Sequence, residues 1–457
     1  MTASASRRAF LQRASVLSMV GAAAPWALNL AAFGEAAAAT ATDYKALVCI
    51  FLHGGNDNTN TLVPFDTASH AAYQAMRPTF AYSRSALAGT ALTPLSAVAG
   101  GYEYALAPEL ATLHPLFGSQ KLAVLLNVGA LVEPTSKAQY IARSVSLPPK
   151  LFSHNDQQSV WQSSATDPGV AGWGGRMGDL LESGNGNASL TCVNVSGNAV
   201  FLSGSSSVQY QVSPRGPVAL DAIKSPLFGS TACSATLRAL AVASSSHLLE
   251  DQYAQVMARA LSAGDALTTA LAAGPTLVAS YPDNNNLGGQ LKMVARMIGS
   301  AAELGVQRQV FFVSMGGFDN HNELADKHPA LLAQLAGAMD AFYKSTVELG
   351  VADKVTTFTA SEFGRTITGA SGSDHGWGST HFVMGDAVAG GRYYGSAPEI
   401  ANNGPDDAGQ GRLIPSTSVD QYAATLGKWF GISETDLLTV LPNLAHWNLS
   451  QRDLGFM

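Results

Sequence analysis

Charge is scarce in this sequence, and so is cysteine. Charged residues make up 13% of the 457 residues and leave a net charge of −7. No Lys/Arg cluster breaks that pattern, so a nucleic-acid partner is not expected. The three cysteines, Cys49, Cys192 and Cys233, stand far apart, and there is no Cys-x-x-Cys. That excludes a zinc ribbon and a thioredoxin-type centre. One pair is open to forming a disulfide in an oxidising compartment, whereas Cys49 falls inside an apolar run and reads as a small buried residue. After the first forty or so residues no apolar run is long enough to span a bilayer. The Gly-x-Ser-x-Gly elbow of the serine hydrolases is missing as well.

What is present begins with an address. Ser6-Arg7-Arg8-Ala9-Phe10-Leu11 sets an arginine pair before an apolar pair, and an Ala-rich, weakly apolar stretch continues to about Phe33. The small-residue run Ala36–Ala39 then offers a cleavage site. This order is that of a twin-arginine signal peptide over residues 1–39, rather than of a membrane anchor. It implies the twin-arginine translocation machinery as a partner, a periplasmic or secreted location, and no stable membrane span after cleavage.

Apolar residues make up 47% of the chain, enough for residues 40–457 to bury a large core. Ala46–Leu52, Leu122–Val128, Val310–Ser314 and Val355–Ala360 are short continuous apolar runs that read as buried parallel strands. Between them lie helical spacings: Leu291, Val294, Ala295 and Ile298, then Leu332, Leu335, Met339 and Phe342. Ser418 and Gln421 resemble a capping box ahead of Tyr422, Leu426 and Phe430. The alternation predicts an α/β fold with a mostly parallel central sheet and helices on both faces. The Ser/Gly/Val-rich stretch from Gly197 to Pro226 reads as an irregular or β insertion, extending to about residue 286 with the polar loop Asp283–Asn286.

In such folds ligands bind beyond the carboxyl ends of the strands. The first strand runs into His53-Gly54-Gly55-Asn56-Asp57-Asn58-Thr59-Asn60. The third ends in Gly316-Gly317-Phe318-Asp319-Asn320-His321, and the fourth in Ser361-Glu362-Phe363-Gly364-Arg365-Thr366. Gly372-Ser373-Asp374-His375-Gly376 comes next, with His381 shortly after. Carboxylates and imidazoles together suit zinc, manganese or iron. An Asp/His mixture around metal ions is suited to cleaving phosphate-type esters. Each residue also has a plainer reading. Asp57 and Asn60 are turn formers, and Asp319 and His321 could serve only to order a loop.

These motifs resemble a family of exported bacterial proteins known as DUF1501. The resemblance runs through FLHGGNDNTNTLVP (51–64), LHPLFGSQKLAVLLNVG (113–129), SHNDQQSVWQ (153–162), GGFDNH (316–321), SEFGRT (361–366) and SDHGWGSTHFVMG (373–385). The family looks like a branch of the alkaline phosphatase and sulfatase superfamily, which implies an alkaline-phosphatase-like fold and one or two divalent ions, with zinc, manganese or calcium as candidates. By that resemblance Asp57, Asp374 and His375 match one metal site, and Asp319, His321 and His381 match the other. Asp319 and His321 stand two positions apart, closer than the superfamily's usual helical turn. The nucleophile is expected at a helix start after the second strand, where Ser153 stands; as the plainer alternative, Ser153 is only the helix cap. Thr59 and Thr61 are rival nucleophiles. His154 and Arg365 are candidates to contact an anionic substrate, and Asn56, Asn60 and Glu362 complete the candidate set. The Cys-x-Pro-x-Arg signature of oxidised-cysteine sulfatases is absent. The expectation is an exported metal-dependent hydrolase of phosphate-type or sulfate esters, small or polymeric. The alternative is a secreted binding or assembly protein that retains the fold without the chemistry.

Overall fold

A computed structural model describes residues 44–165, 169, 171–218 and 221–457. The expected signal peptide, residues 1–39, lies outside the described residues. The strands are β1 (Lys45–Leu52), β2 (Leu62–Pro64), β3 (Tyr104–Leu106), β4 (Leu122–Gly129), β5 (Cys192–Asn194), β6 (Tyr210–Ser213), β7 (Gly216–Pro217), β8 (Arg308–Met315), β9 (Val355–Ala360), β10 (Ser379–Met384), β11 (Tyr393–Tyr394) and β12 (Thr417–Ser418). The helices of nine or more residues are α1 (Thr67–Met76), α2 (His154–Ser163), α3 (Trp173–Leu181), α4 (Thr231–Ala241), α5 (Leu248–Ala273), α6 (Asn286–Gly299), α7 (Leu324–Glu348) and α8 (Val419–Phe430).

The central sheet has the order β11-β4-β10-β9-β1-β8-β5-β6-β7, with β12 also on β4; β2 and β3 pair separately. β1 lies parallel to both β8 and β9, β5 parallel to β8, and β6 parallel to β5. β10 runs against both β4 and β9, and β7 against β6. The sheet is thus mostly parallel, with β10 reversed inside it and β7 reversed at its edge.

Both faces are covered, and the period of β1 shows how. Ala46, Val48, Ile50 and Leu52 enter one core, with Leu291, Val294 and Ile298 of α6 and Leu332, Leu335, Met339 and Phe342 of α7. Leu47, Cys49 and Phe51 enter the other, with Trp173 and Met177 of α3 and Tyr422, Leu426 and Phe430 of α8. A strand buried on both sides has no polar alternation to show, which is why β1 reads as a continuous apolar run. Each Val, Leu, Ile, Phe or Met side chain among them contributes about 1.5–3 kcal/mol when taken from water. The capping box of α8 is present: Ser418 Oγ accepts from Gln421 N at 3.0 Å while Gln421 Oε1 accepts from Ser418 N at 2.9 Å.

The segment 197–286, expected as an irregular or β insertion, holds the short strands β6 and β7 and the helices α4 and α5. β6 and β7 extend the sheet edge, but α4 and α5 occupy most of the chain between them and α6. The buried face of α5 is built from Ala254, Leu261, Gly264, Leu267 and Ala270. Small residues in an Ala/Ser-rich background leave little apolar contrast between faces, so the helical period is faint in the sequence. Asn285, placed in a polar loop, caps α6 by accepting from Gly288 N at 2.9 Å. Cys49 and Cys192 are buried and unpaired, and Cys233 is exposed and unpaired. Among the described residues no helix is long and apolar enough to cross a membrane.

Candidate metal centre

The loops after β1, β8 and β9 meet at one rim, as the strand ends suggested. Their close approach depends on Gly54, at φ +117°, where a Cβ would lie 2.4 Å from Asp319 N. The chain after β9 then pairs with the glycine-rich loop: Gly364 N donates to Trp377 O at 3.0 Å and Thr366 N to Asp374 O at 2.9 Å. That pairing fixes Asp374 and His375. The start of α2 supplies His154. Just before it, Lys150 and Phe152 adopt left-handed φ of 44° and 72°. Non-glycine residues held in that region cost energy and cluster at functional sites.

Three imidazoles converge on Asp319. His321 Nε2 lies 2.9 Å from Asp319 Oδ1, His375 Nε2 lies 3.3 Å from the same oxygen, and the two Nε2 atoms are 3.0 Å apart. His154 Nε2 lies 3.4 Å from Asp319 Oδ2; it is buried and makes no hydrogen bond. The outer nitrogens of two rings are occupied. His154 Nδ1–H donates to Glu362 Oε1 at 2.9 Å, and His375 Nδ1–H donates to the Phe152 carbonyl at 2.7 Å. Both acceptors fix the Nδ1–H tautomer and turn the Nε2 lone pairs toward Asp319, the arrangement that ligating histidines use. Asp374 Oδ1 stands 3.7 Å from His321 Nδ1. The aromatic ring of Phe363 lies against His375 and His154, with centroids at 4.8 and 4.9 Å.

The electrostatics arise from these contacts. Burial pushes the Asp319 carboxyl up, but the hydrogen bond and charge of Arg365 outweigh it and hold Asp319 below its ordinary value. Burial also raises Glu362, and donation from His154, Gln158 and Gly54 N overcomes it, so Glu362 is ionised. The bond to Glu362 raises His154. Burial lowers His375.

Two triads could hold an ion: His154, Asp319 and His375, and His321, Asp374 and His375, the ligand atoms of each lying within 4.8 Å of one another. The edges of 2.9–3.3 Å joining Asp319 Oδ1, His321 Nε2 and His375 Nε2 suit atoms sharing one ion at about 2.0–2.2 Å. The residues therefore fit a divalent ion, and the orphaned Nε2 of His154 is the polar atom such an ion would satisfy.

Several expected residues are placed elsewhere. Asp57 is buried against Arg77, 2.7 Å from Nη1, accepts from Asn60 N and Ser373 Oγ, and is absent from both triads. Its charge is consumed by the scaffold. His381 is also outside them. It alternates with Phe382 along β10, so its side chain enters the α8 core, its ring stacked on Tyr422 at 6.0 Å. Asn56 is bound to Thr61 and to His328 Nε2 at 3.0 Å, and Asn60 to Tyr73, Arg77 and Phe80. Thr59 is buried beside Asn58, its Oγ1 accepting at 3.3 Å. Thr61 Oγ1 is held by Asn56 and the Asp57 carbonyl. Ser153 caps α2 in position, but its hydroxyl donates to Asp156 at 2.7 Å instead of facing the centre. Arg365 has no exposed side-chain surface. Its guanidinium is used by Asp319, Gly54 O and Ser373, so it is not free to take a substrate. His154, expected as a substrate contact, is instead one of the converging imidazoles. The Phe152 carbonyl, Gln158 and Arg412 carry no sequence signal for this site, because they reach it through the fold alone.

Solved structures similar to this chain include the PsFucS1 sulfatase from Pseudoalteromonas sp., at 11% identity over 93% of this chain and 76% of that one, with a TM-score of 0.34. Another is Ps i-CgsB in complex with k-i-k-neocarrahexaose, at 7% identity over 87% of this chain and 74% of that one, with a TM-score of 0.35. No curated protein matches the chain. The family described as "Protein of unknown function (DUF1501)" matches residues 44–440, and the chain belongs to it.

Proposed function

We propose that this protein is an exported, metal-dependent hydrolase of phosphate-type or sulfate esters. The observation that carries the proposal is the convergence of His154, His321 and His375 on Asp319, with the outer nitrogens of His154 and His375 already held. A donor set rich in imidazole favours zinc, manganese or iron over calcium, which takes oxygen ligands. His375 belongs to both triads, and its Nδ1 is committed to Phe152, so one ion is favoured over two. When bound, the ion supplies Lewis-acid polarisation of an ester oxygen and charge to stabilise a leaving oxygen. The chain's own residues fix the geometry: Glu362 and the Phe152 carbonyl orient the rings, Arg365 steadies Asp319, and Phe363 excludes water from one side. Because the Ser153 hydroxyl is turned to Asp156, water is the favoured nucleophile over a covalent serine route. The Arg7-Arg8 signal supports passage through the twin-arginine machinery to the periplasm, a route that accepts folded, cofactor-loaded proteins.

The test is metal analysis of protein recovered from the periplasm, with a panel of aryl phosphate, phosphodiester and aryl sulfate esters. About one divalent ion per chain and chelator-sensitive hydrolysis are expected, both lost in Asp319→Ala and His375→Ala. A folded protein that binds no divalent ion and cleaves none of the esters would return the reading to a non-catalytic binding or assembly protein.

A further inference from the structure

We propose that Arg412 is the residue that grips the anionic oxygens of the substrate, which restricts the substrate to esters bearing a tetrahedral anion. This rests on the reading of the centre as an ester hydrolase. The other arginines near the site are committed. Arg365 is spent on Asp319, Gly54 O and Ser373. Arg77 is spent on Asp57, Asn60 and the carbonyls of Thr366 and Ile367. Lys150 is drawn to Asp156 at 3.2 Å.

Arg412 is held differently. Its Nε donates to the His375 carbonyl at 2.9 Å, and its Nη2 lies 3.4 Å from Asp374 Oδ2. Its guanidinium carbon sits 4.4 Å from the centre of the Phe152 ring. No partner of Nη1 is found among the described residues, and the side chain is 21% exposed. The group is thus anchored along its Nε/Nη2 edge by His375 O and Asp374, stacked on an aromatic face, and left with Nη1 to donate. A planar guanidinium in that state offers parallel N–H donors that match two oxygens of a phosphate or sulfate. A neutral carboxylic ester would leave them unpaired.

The loop that delivers Arg412 is built around a buried charge. Asp407 is fully buried. Its Oδ1 accepts from Gly409 N at 2.7 Å and Arg412 N at 2.9 Å, and its Oδ2 from Asn403 N at 2.8 Å and Gly411 N at 3.1 Å. Gly409, Gln410 and Gly411 all hold positive φ, of 118°, 63° and 79°. A connection with only a gap to close needs neither a buried carboxylate nor a left-handed glutamine, which costs energy. The winding fixes the backbone of Arg412 itself.

The experiment uses the metal-loaded full protein. Arginine labelling by phenylglyoxal, mapped by mass spectrometry, is compared with and without inorganic phosphate or sulfate. Protection at Arg412 is expected. Arg412→Met is expected to raise KM for aryl phosphate or sulfate by about 10–100-fold, the worth of a charged hydrogen bond, with kcat within about threefold and metal content unchanged. Arg412→Lys, which keeps the charge but not the fork, should fall between. KM and phosphate inhibition both unmoved in Arg412→Met would overturn the proposal. If that variant does not fold, equal labelling of wild-type Arg412 with and without either anion overturns it. Protection of Arg412 in a protein that hydrolyses no ester would instead sink the hydrolase reading and leave the anion site standing.

Discussion

Glu362 is buried yet ionised because three donors, Gly54 N–H, the Gln158 amide and His154 Nδ1–H, share its Oε1. Its work is done through His154, whose inner nitrogen it turns toward the centre. Glu362→Gln keeps the shape and an acceptor but removes the charge. Metal affinity is expected to fall about 10–100-fold, read by competition with a chelator, while the thermal transition of the metal-free protein moves little. Unchanged affinity would mean that His154 is not a ligand. Asp57 makes the opposite case. Burial pushes its carboxyl up, and the charge of Arg77 holds it below its ordinary value. Arg77→Met would strand that charge at 1% exposure. A loss of about 3–5 kcal/mol is expected in urea unfolding, with metal stoichiometry unaltered in the protein that remains folded. At this scale the sequence identified the strand-end carboxylates and imidazoles but not their grouping. Nothing local to Asp57 announces that Arg77 lies against it, and Phe152 enters the site through a backbone carbonyl, which no residue type reveals.

The elements were legible where burial is two-sided or capping is explicit. β1, β4, β8 and β9 each carry an apolar run because nearly all of their residues are buried. α8 is announced by Ser418 and Gln421, and Ser418→Ala is expected to cost about 1 kcal/mol, measured as a shift in the denaturant midpoint. A smaller shift would mean that the packing of Tyr422, Leu426 and Phe430 fixes the helix start without help from the cap. α4 and α5 were not legible, since alanine and glycine pack on the buried side as readily as they face water. β10 was missed as well: His381 interrupts its apolar run, and its antiparallel sense depends on neighbours 20 or more residues away.

Stability of the whole molecule is tied to pH by groups outside the candidate metal centre. Burial lowers His328 to about 4 and His381 to about 3, so both are neutral in the folded protein at pH 7. The unfolded chain takes up protons on them below about pH 6.5. Their stability is therefore fully present above about pH 6.5 and lost on acidification, by about 1.4 kcal/mol per pH unit for each. Asp420 opposes them, because burial raises it to about 7 and its ionisation penalises the fold as pH rises from about 4 to 7. Two histidines against one aspartate leave a net slope of about 1.4 kcal/mol per pH unit between about pH 4 and 6.5 from these three groups. His381→Phe should flatten that slope in urea unfolding curves. It should also leave metal binding intact, whereas loss of the ion would restore His381 as a ligand.

β1, the middle of the sheet, is also the first of the described strands to be synthesised. Its register sets Lys45 against Arg308 and Ala46 against Val355, so both neighbours are made hundreds of residues later. At about 5–20 residues per second, the wait for β8 and β9 is roughly 15–60 s. During it, an apolar segment with strong β propensity and two unpaired edges is open to other chains, the composition that seeds cross-β association. Nascent chains that have not yet reached β8 should therefore be chaperone clients, and slowed translation should lower the yield of folded protein even when the finished fold is stable.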